Sequence, residues 1–129
     1  MKKFIISLFT AGLLTLTVAT GSAAQTAPKS VIHVVTVAWN DDATPQQIEK
    51  AIKGVQGLPS KFKGITRVWT RAIKIQNAAG ADVKKTHAFV MEFADEKALK
   101  EYAGSPAQLE WYKSYEGIRK VSTTFDITN

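Results

Sequence analysis

Val31-Ile32-His33-Val34-Val35-Thr36-Val37-Ala38-Trp39 is the stretch on which the fold turns. It is rich in β-branched residues and reads as a strand. One face carries Val31, His33, Val35, Val37 and Trp39; the other carries Ile32, Val34, Thr36 and Ala38. Both faces are mostly apolar, which predicts a strand covered on both sides.

Downstream, Asn40 to Ala43 is a turn, and Thr44-Pro45-Gln46-Gln47 opens a helix. Thr44 is suited to the N-cap, Pro45 to the first helical position and Gln47 to the third position of a capping box. Ile48, Ala51, Ile52, Val55 and Leu58 then follow at helical spacing, and Gly57 and Pro59 mark the end. Ile65 to Ile75 reads as a second strand, with Ile65, Arg67, Trp69, Arg71, Ile73 and Ile75 on one face. A polar connection from Gln76 to Lys85 leads to a third strand, Thr86 to Phe93, with His87, Phe89, Met91 and Phe93 sharing a face. Asp95 opens a helix running to Tyr102, with Ala98, Leu99 and Tyr102 turned inward, and Gly104 breaks it. Ser105-Pro106-Ala107-Gln108 restarts a helix whose apolar side draws on Leu109, Tyr112, Tyr115 and Trp111. Val121 to Ile127 closes the chain as strand four. The order β-α-β-β-α-β is the ferredoxin-like, split βαβ arrangement: an α+β domain with an antiparallel sheet and helices on one face. The helices cover one face only, so Val34, Ala88 and Val90 need another cover, most simply a second copy of the sheet.

Upstream, Met1-Lys2-Lys3 is positive, Phe4 to Val18 is apolar and uncharged, and Ala19 to Ala24 is small and weakly polar. Residues 1–24 thus have the three-part layout of a cleaved secretory signal. The apolar run is shorter than the ~20 residues of a spanning helix, which argues against a permanent anchor. Residues 25–30 form a flexible lead-in, and residues 31–129 form one domain. The expected location is periplasmic or secreted, with no membrane association after cleavage. The chain has no cysteine, so neither lipoprotein processing nor a disulfide is available.

The full chain carries 17 Lys+Arg against 11 Asp+Glu; loss of Lys2 and Lys3 leaves 15 against 11, a net charge of +4. This excess is modest and interspersed with acids, which excludes a nucleic-acid footprint.

Three segments resemble the stress-responsive A/B barrel domain family: Ile32 to Trp39, Thr86 to Phe93, and Ala98-Leu99-Lys100-Glu101-Tyr102-Ala103-Gly104-Ser105-Pro106-Ala107. The resemblance implies a homodimeric α/β barrel with a cavity in each subunit between the sheet and its helices. One plant branch of that family comprises polyketide cyclases, which use the tyrosine at the position of Tyr102 and a histidine where this chain has Gln108. Glutamine is no general base near neutral pH, so cyclase chemistry is placed in doubt. Gln108 also has a structural explanation as the third-residue partner of a Ser105 cap.

His33 shares its face with Val35 and Val37, the face that the resemblance places in the cavity. There it could act as an acid, a base or an orienting donor; the plainer role is a histidine bonded to backbone or water. His87 belongs at the opposite end of the antiparallel pair, on the order of 10 Å or more from His33. A shared metal site is therefore not expected, and no cofactor is implied; an axial haem ligand would rest on two lone histidines alone. Arg67, Trp69 and Arg71 form a row suited to an aromatic acid or, more plainly, to a solvated face or an interface.

The expected function is binding of a small, partly apolar ligand, with aromatic and polyketide-like acids as candidates. His33 and Tyr102 supply the polar contacts and are the candidates for catalysis. Val35, Val37, Phe89, Met91 and Trp111 supply the wall, with Gln108 beside them. The alternatives are a cofactor-free cyclase or oxygenase, with His33 as base, and a structural stress protein with a filled barrel.

Overall fold

The computed structural model describes residues 29–76, 79–80 and 83–128. The expected signal segment and most of the lead-in lie outside the described residues. The elements run β1 (Val31–Trp39), α1 (Pro45–Gln56), α2 (Leu58–Lys61), β2 (Ile65–Ala72), β3 (His87–Phe93), α3 (Glu96–Tyr102), α4 (Pro106–Tyr115), a 3-10 turn (Glu116–Ile118) and β4 (Arg119–Ile127). The sheet order is β2-β3-β1-β4, with every neighbour antiparallel. This is the ferredoxin-like α+β fold.

The local signals act as their chemistry dictates. Thr44 Oγ1 accepts from the Gln47 amide at 3.3 Å and Gln47 Oε1 accepts from the Thr44 amide at 2.8 Å, a complete capping box. Asp95 caps α3 and Ser105 caps α4 through the amides of Ala98 and Gln108. Gly104 joins the two helices at φ 77°, a left-handed conformation that favours glycine. Val31, Val35, Val37, Phe89, Met91 and Phe93 form the sheet side of the core, and Val55, Leu58, Tyr102, Trp111 and Tyr115 the helical side.

Four expectations are corrected. Strand two stops at Ala72 rather than Ile75. Its single apolar-and-basic face is also broken: the register with β3 shifts between Ile65 and Arg67. That bulge leaves Ile65 in the core and turns Arg67, Trp69 and Arg71 to the opposite side, while Val68 and Thr70 face the helices. Pro59 does not end the helical region, because it sits in the first turn of α2, where its missing N–H costs nothing. Leu109 is 54% exposed, and Ala107, Trp111 and Tyr115 are the buried residues of α4.

The strand pairings define the outer sheet face. Phe125 lies opposite Val34, Val34 opposite Val90, and Val90 opposite Trp69, making an apolar row across all four strands. Phe125 is 49% exposed and Trp69 40%. The helices leave this row uncovered.

Candidate functional site

On the helical side of the sheet is a cavity of about 100 Å³. Its floor is β1, β3 and β4; its walls are α3 and α4. His33, Val35, Met91, Tyr102, Gln108 and Trp111 all border it. Of the residues expected at the site, Val37 and Phe89 do not line it. Both are fully buried in the core beneath it, where Phe89 packs against Trp39, Trp111 and Tyr115.

The cavity also takes Tyr112 and Tyr115, which the sequence places on the apolar side of α4, and three residues that the sequence reading did not single out: Arg119, Ser122 and Thr124. Strand pairing explains the last two. Thr124 lies opposite Val35 and Ser122 opposite Val37, so Ser122 and Thr124 face the helices, while Val121, Thr123, Phe125 and Ile127 face outward. The sequence signal is the alternation itself, with Ser122, Thr124 and Asp126 on one face and Val121, Thr123, Phe125 and Ile127 on the other.

Asp126 is opposite His33 in the same register. Its Oδ1 lies 2.6 Å from His33 Nδ1. An ionised carboxylate only accepts, so the bond places the imidazole proton on Nδ1. Nε2 is then the nitrogen with a lone pair, and among the described residues it has no hydrogen-bond partner. The ring is also held edge-on to Phe93, with centroids 5.9 Å apart. A histidine oriented through one nitrogen by a carboxylate is equipped to accept a proton at the other.

The hydroxyls of Tyr102 and Tyr115 are buried and, among the described residues, have no hydrogen-bond partner. Burial pushes the Tyr102 phenol far above its ordinary range, with a smaller push from Tyr112. It is therefore a neutral donor at any working pH. Burial also raises Tyr115, opposed in part by Ser122 and Arg119 beside it. Trp111 stacks on Tyr115 at 4.5 Å and 15° and donates its indole N–H to the Ala51 carbonyl at 3.0 Å, fixing one wall.

Gln108 is largely occupied. Its amide is the one capped by Ser105, its Oε1 accepts from the Gly104 amide at 2.6 Å, and its Nε2 reaches Tyr112 at 3.5 Å. The carboxamide thus bonds the residue before the cap rather than the cap itself, and it ties the α3–α4 corner to the cavity rim.

His87 lies elsewhere. It is opposite Val37, four positions along β1 from His33, and accepts from the Trp39 indole at 2.9 Å. Arg67, Trp69 and Arg71 are also remote, on the outer face; Arg67 pairs with Glu92 at 2.7 Å and lies over the Trp69 ring.

Residues 31–129 match the family described as Stress responsive A/B Barrel Domain. The chain is 28% identical over 88 residues to stress-response A/B barrel domain-containing protein HS1 of Arabidopsis thaliana, covering 67% of this chain and 78% of that one. A crystal structure of an Arabidopsis thaliana protein is similar at a TM-score of 0.67 and 25% identity, over 77% of this chain and 94% of that one. A dimeric ferredoxin-like protein of unknown function from Thermobifida fusca is similar at a TM-score of 0.64 and 19% identity, over 83% and 97%.

Proposed function

The chain belongs to the stress-responsive A/B barrel domain family, and from that premise we propose that it is an exported homodimer whose subunits each bind a small, partly apolar molecule between the sheet and helices α3 and α4. The observation that carries this reading is the pair of buried, unpartnered hydroxyls on Tyr102 and Tyr115 at the cavity. A buried donor left unpaired costs about 1–3 kcal/mol. Two of them at one cavity, beside the oriented His33, are best understood as contacts reserved for a ligand. Val35, Met91 and Trp111 offer it an apolar surface.

Size narrows the class. A cavity of 150 Å³ holds a benzene ring, whereas this one measures about 100 Å³. The enclosed part of the ligand is therefore no larger than about one ring. A polyketide-like chain would have to extend through the mouth. Export rests on the sequence of residues 1–24. Dimerisation is supported by the uncovered row Phe125–Val34–Val90–Trp69 and by the dimeric state of the Thermobifida fusca protein.

The test is native mass spectrometry of the mature protein purified gently from its own host, beside His33→Ala and Tyr102→Phe. A dimer with a stoichiometric non-covalent adduct that both variants lose supports the reading. An adduct retained by both variants refutes the site assignment. A monomer refutes the assembly, and a clean dimer without adduct turns the reading to an enzyme that releases its product or to a structural protein.

A second reading is a cofactor-free enzyme with His33 as base. The 2.6 Å bond between His33 and Asp126 favours it, since it supplies the orienting carboxylate such a base needs. Gln108, in place of the plant cyclases' histidine, separates any such chemistry from theirs. Turnover that disappears in His33→Ala while the ligand still binds would establish this reading over simple binding.

A further inference from the structure

Arg119 borders the cavity but has no role in the binding reading above. It opens β4 opposite Trp39, just where the β1–β4 register shifts. Counting back from Asp126 in steps of two, Thr124, Ser122 and Lys120 would share the cavity face. The bulge inserts one residue, so Arg119 takes the cavity position instead. Lys120 is turned away and pairs with Asp41 at 3.1 Å.

The guanidinium is held in place. It lies over the Tyr115 ring, 5.2 Å from the centroid, and its Nη1 donates to Ser122 Oγ at 3.3 Å. Among the described residues, no carboxylate lies within ion-pairing distance of it. Arginine stays charged at every working pH and presents five donors in a plane, a shape that matches a carboxylate. A cation fixed at a cavity, with donors to spare and next to the buried Tyr115 hydroxyl, is a ready anion seat. The charges are also laid out along the site. Asp126 sits behind His33 at one end of β4 and Arg119 stands at the other, so an anionic ligand has one favourable orientation.

We propose that the cavity selects carboxylates: the acid group of the ligand seats on Arg119 and Tyr115, its apolar body lies on Val35 and Met91, and its uncharged end meets His33 and Tyr102. The proposal rests on the binding reading above and adds the charge and the direction of the ligand. Arg119 anchors and orients; the polar work at the far end belongs to His33 and Tyr102.

The test is calorimetric titration of the mature protein at low salt with benzoate and phenylacetate, beside their neutral counterparts benzamide and phenylacetamide. Each pair has nearly the same shape and differs in charge. The wild type is expected to bind the acids about tenfold or more tightly than the amides. Arg119→Gln should remove most of that preference by weakening the acids far more than the amides, while Arg119→Lys, which keeps the charge but not the fork, retains part of it. Thermal melting of both variants checks that the fold survives. Equal binding of acids and amides by the wild type, or an acid preference that survives in Arg119→Gln, overturns the proposal. If the amides bind, His33→Ala weakens them and the acids bind no better, the carboxylate proposal fails and the binding reading stands. If neither acids nor amides bind, the carboxylate proposal is overturned together with the binding reading beneath it for ligands of this size.

Discussion

His33 and Asp126, 93 residues apart in sequence, meet through a 2.6 Å bond between Nδ1 and Oδ1 because β1 and β4 pair in a register that sets them opposite each other. The bond fixes both the tautomer and the plane of the imidazole at the cavity. Asp126→Asn should keep the volume and lose the control, since a carboxamide can turn either its oxygen or its NH₂ toward the ring. Ligand affinity, or rate if there is turnover, should fall about tenfold with the fold intact. Nitrogen NMR of the imidazole should show the proton on Nδ1 in the wild type and a mixture in the variant. An unchanged tautomer and unchanged affinity would show the pair to be purely structural.

The second prediction concerns the cavity wall. Trp111 packs so closely on α1 that a Cβ added at Gly54 would stand 2.8 Å from its Cδ1. The glycine is there for the approach of the two helices. Gly54→Ala gains about 1 kcal/mol of helix propensity but overpacks a filled site at a typical cost of about 1–3 kcal/mol. The rigid indole, stacked on Tyr115 and bonded to Ala51, has little room to yield. Net destabilisation is expected, together with a shift in tryptophan fluorescence and weaker ligand binding. A more stable Gly54→Ala with unchanged fluorescence would mean that the wall is free to move.

The third is a pH effect located at His87. The Trp39 indole only donates, so His87 Nδ1 accepts and the ring proton is on Nε2; the Thr86 hydroxyl is 3.0 Å from the same nitrogen. Burial lowers the pKa of His87 below its ordinary 6.5. Between the lowered value and 6.5 the unfolded chain takes up a proton that the folded chain refuses. This contribution to stability is therefore complete above 6.5 and is lost as the pH falls through that window. Urea midpoints measured between about pH 8 and about pH 5 should drop on the acid side. His87→Gln, which keeps an acceptor for Trp39 and cannot titrate, should show a shallower drop. Parallel curves for the two proteins would place the pH dependence elsewhere.

What could be read from the sequence was whatever local chemistry or simple periodicity fixes. Thr44, Pro45 and Gln47 declare a helix start, Ser105 and Pro106 declare another, and the two-faced apolar β1 declares a central strand. What could not be read depends on one-residue irregularities and long-range pairing. The bulge at Thr66 carries no composition signal, yet it moves Arg67, Trp69 and Arg71 from one face of the sheet to the other. The bulge beside Arg119 likewise exchanges Arg119 for Lys120 at the cavity. Asp126 carries no local signal, because its partner is set by strand register. On α4, Leu109 was the obvious apolar residue, but the larger Trp111 sits on the core-facing side with Ala107 and Tyr115.

The fourth prediction tests the uncovered sheet face. Val34 sits at the centre of the row Phe125–Val34–Val90–Trp69 and points away from the helical core. In a homodimer joined through this face, Val34→Glu would bury a carboxylate in an apolar seam, so dissociation is expected. In a monomer the same change would be a surface substitution costing about 0.5 kcal/mol or less. Sedimentation velocity distinguishes the two: a wild-type dimer that becomes a folded monomer in Val34→Glu supports the interface, and a Val34→Glu dimer moves it to another face.

The fifth separates function from stability at the tyrosines. Tyr102 is 2% exposed and, among the described residues, its hydroxyl has no partner. A hydroxyl there for the fold would be hydrogen-bonded, and its removal would destabilise by about 1 kcal/mol. A hydroxyl there for a ligand is carried at a loss, so Tyr102→Phe should leave stability unchanged or raise it by up to about 1 kcal/mol. The ring contacts with Phe62 and Phe93, at 5.5 and 5.3 Å, persist in phenylalanine, so packing does not confound the comparison. Ligand binding should weaken about fivefold or more through loss of a neutral hydrogen bond. Denaturation curves and titrations on the same preparation decide the matter. A stable variant with weakened binding assigns the hydroxyl to the ligand; a destabilised variant with unchanged binding assigns it to the core.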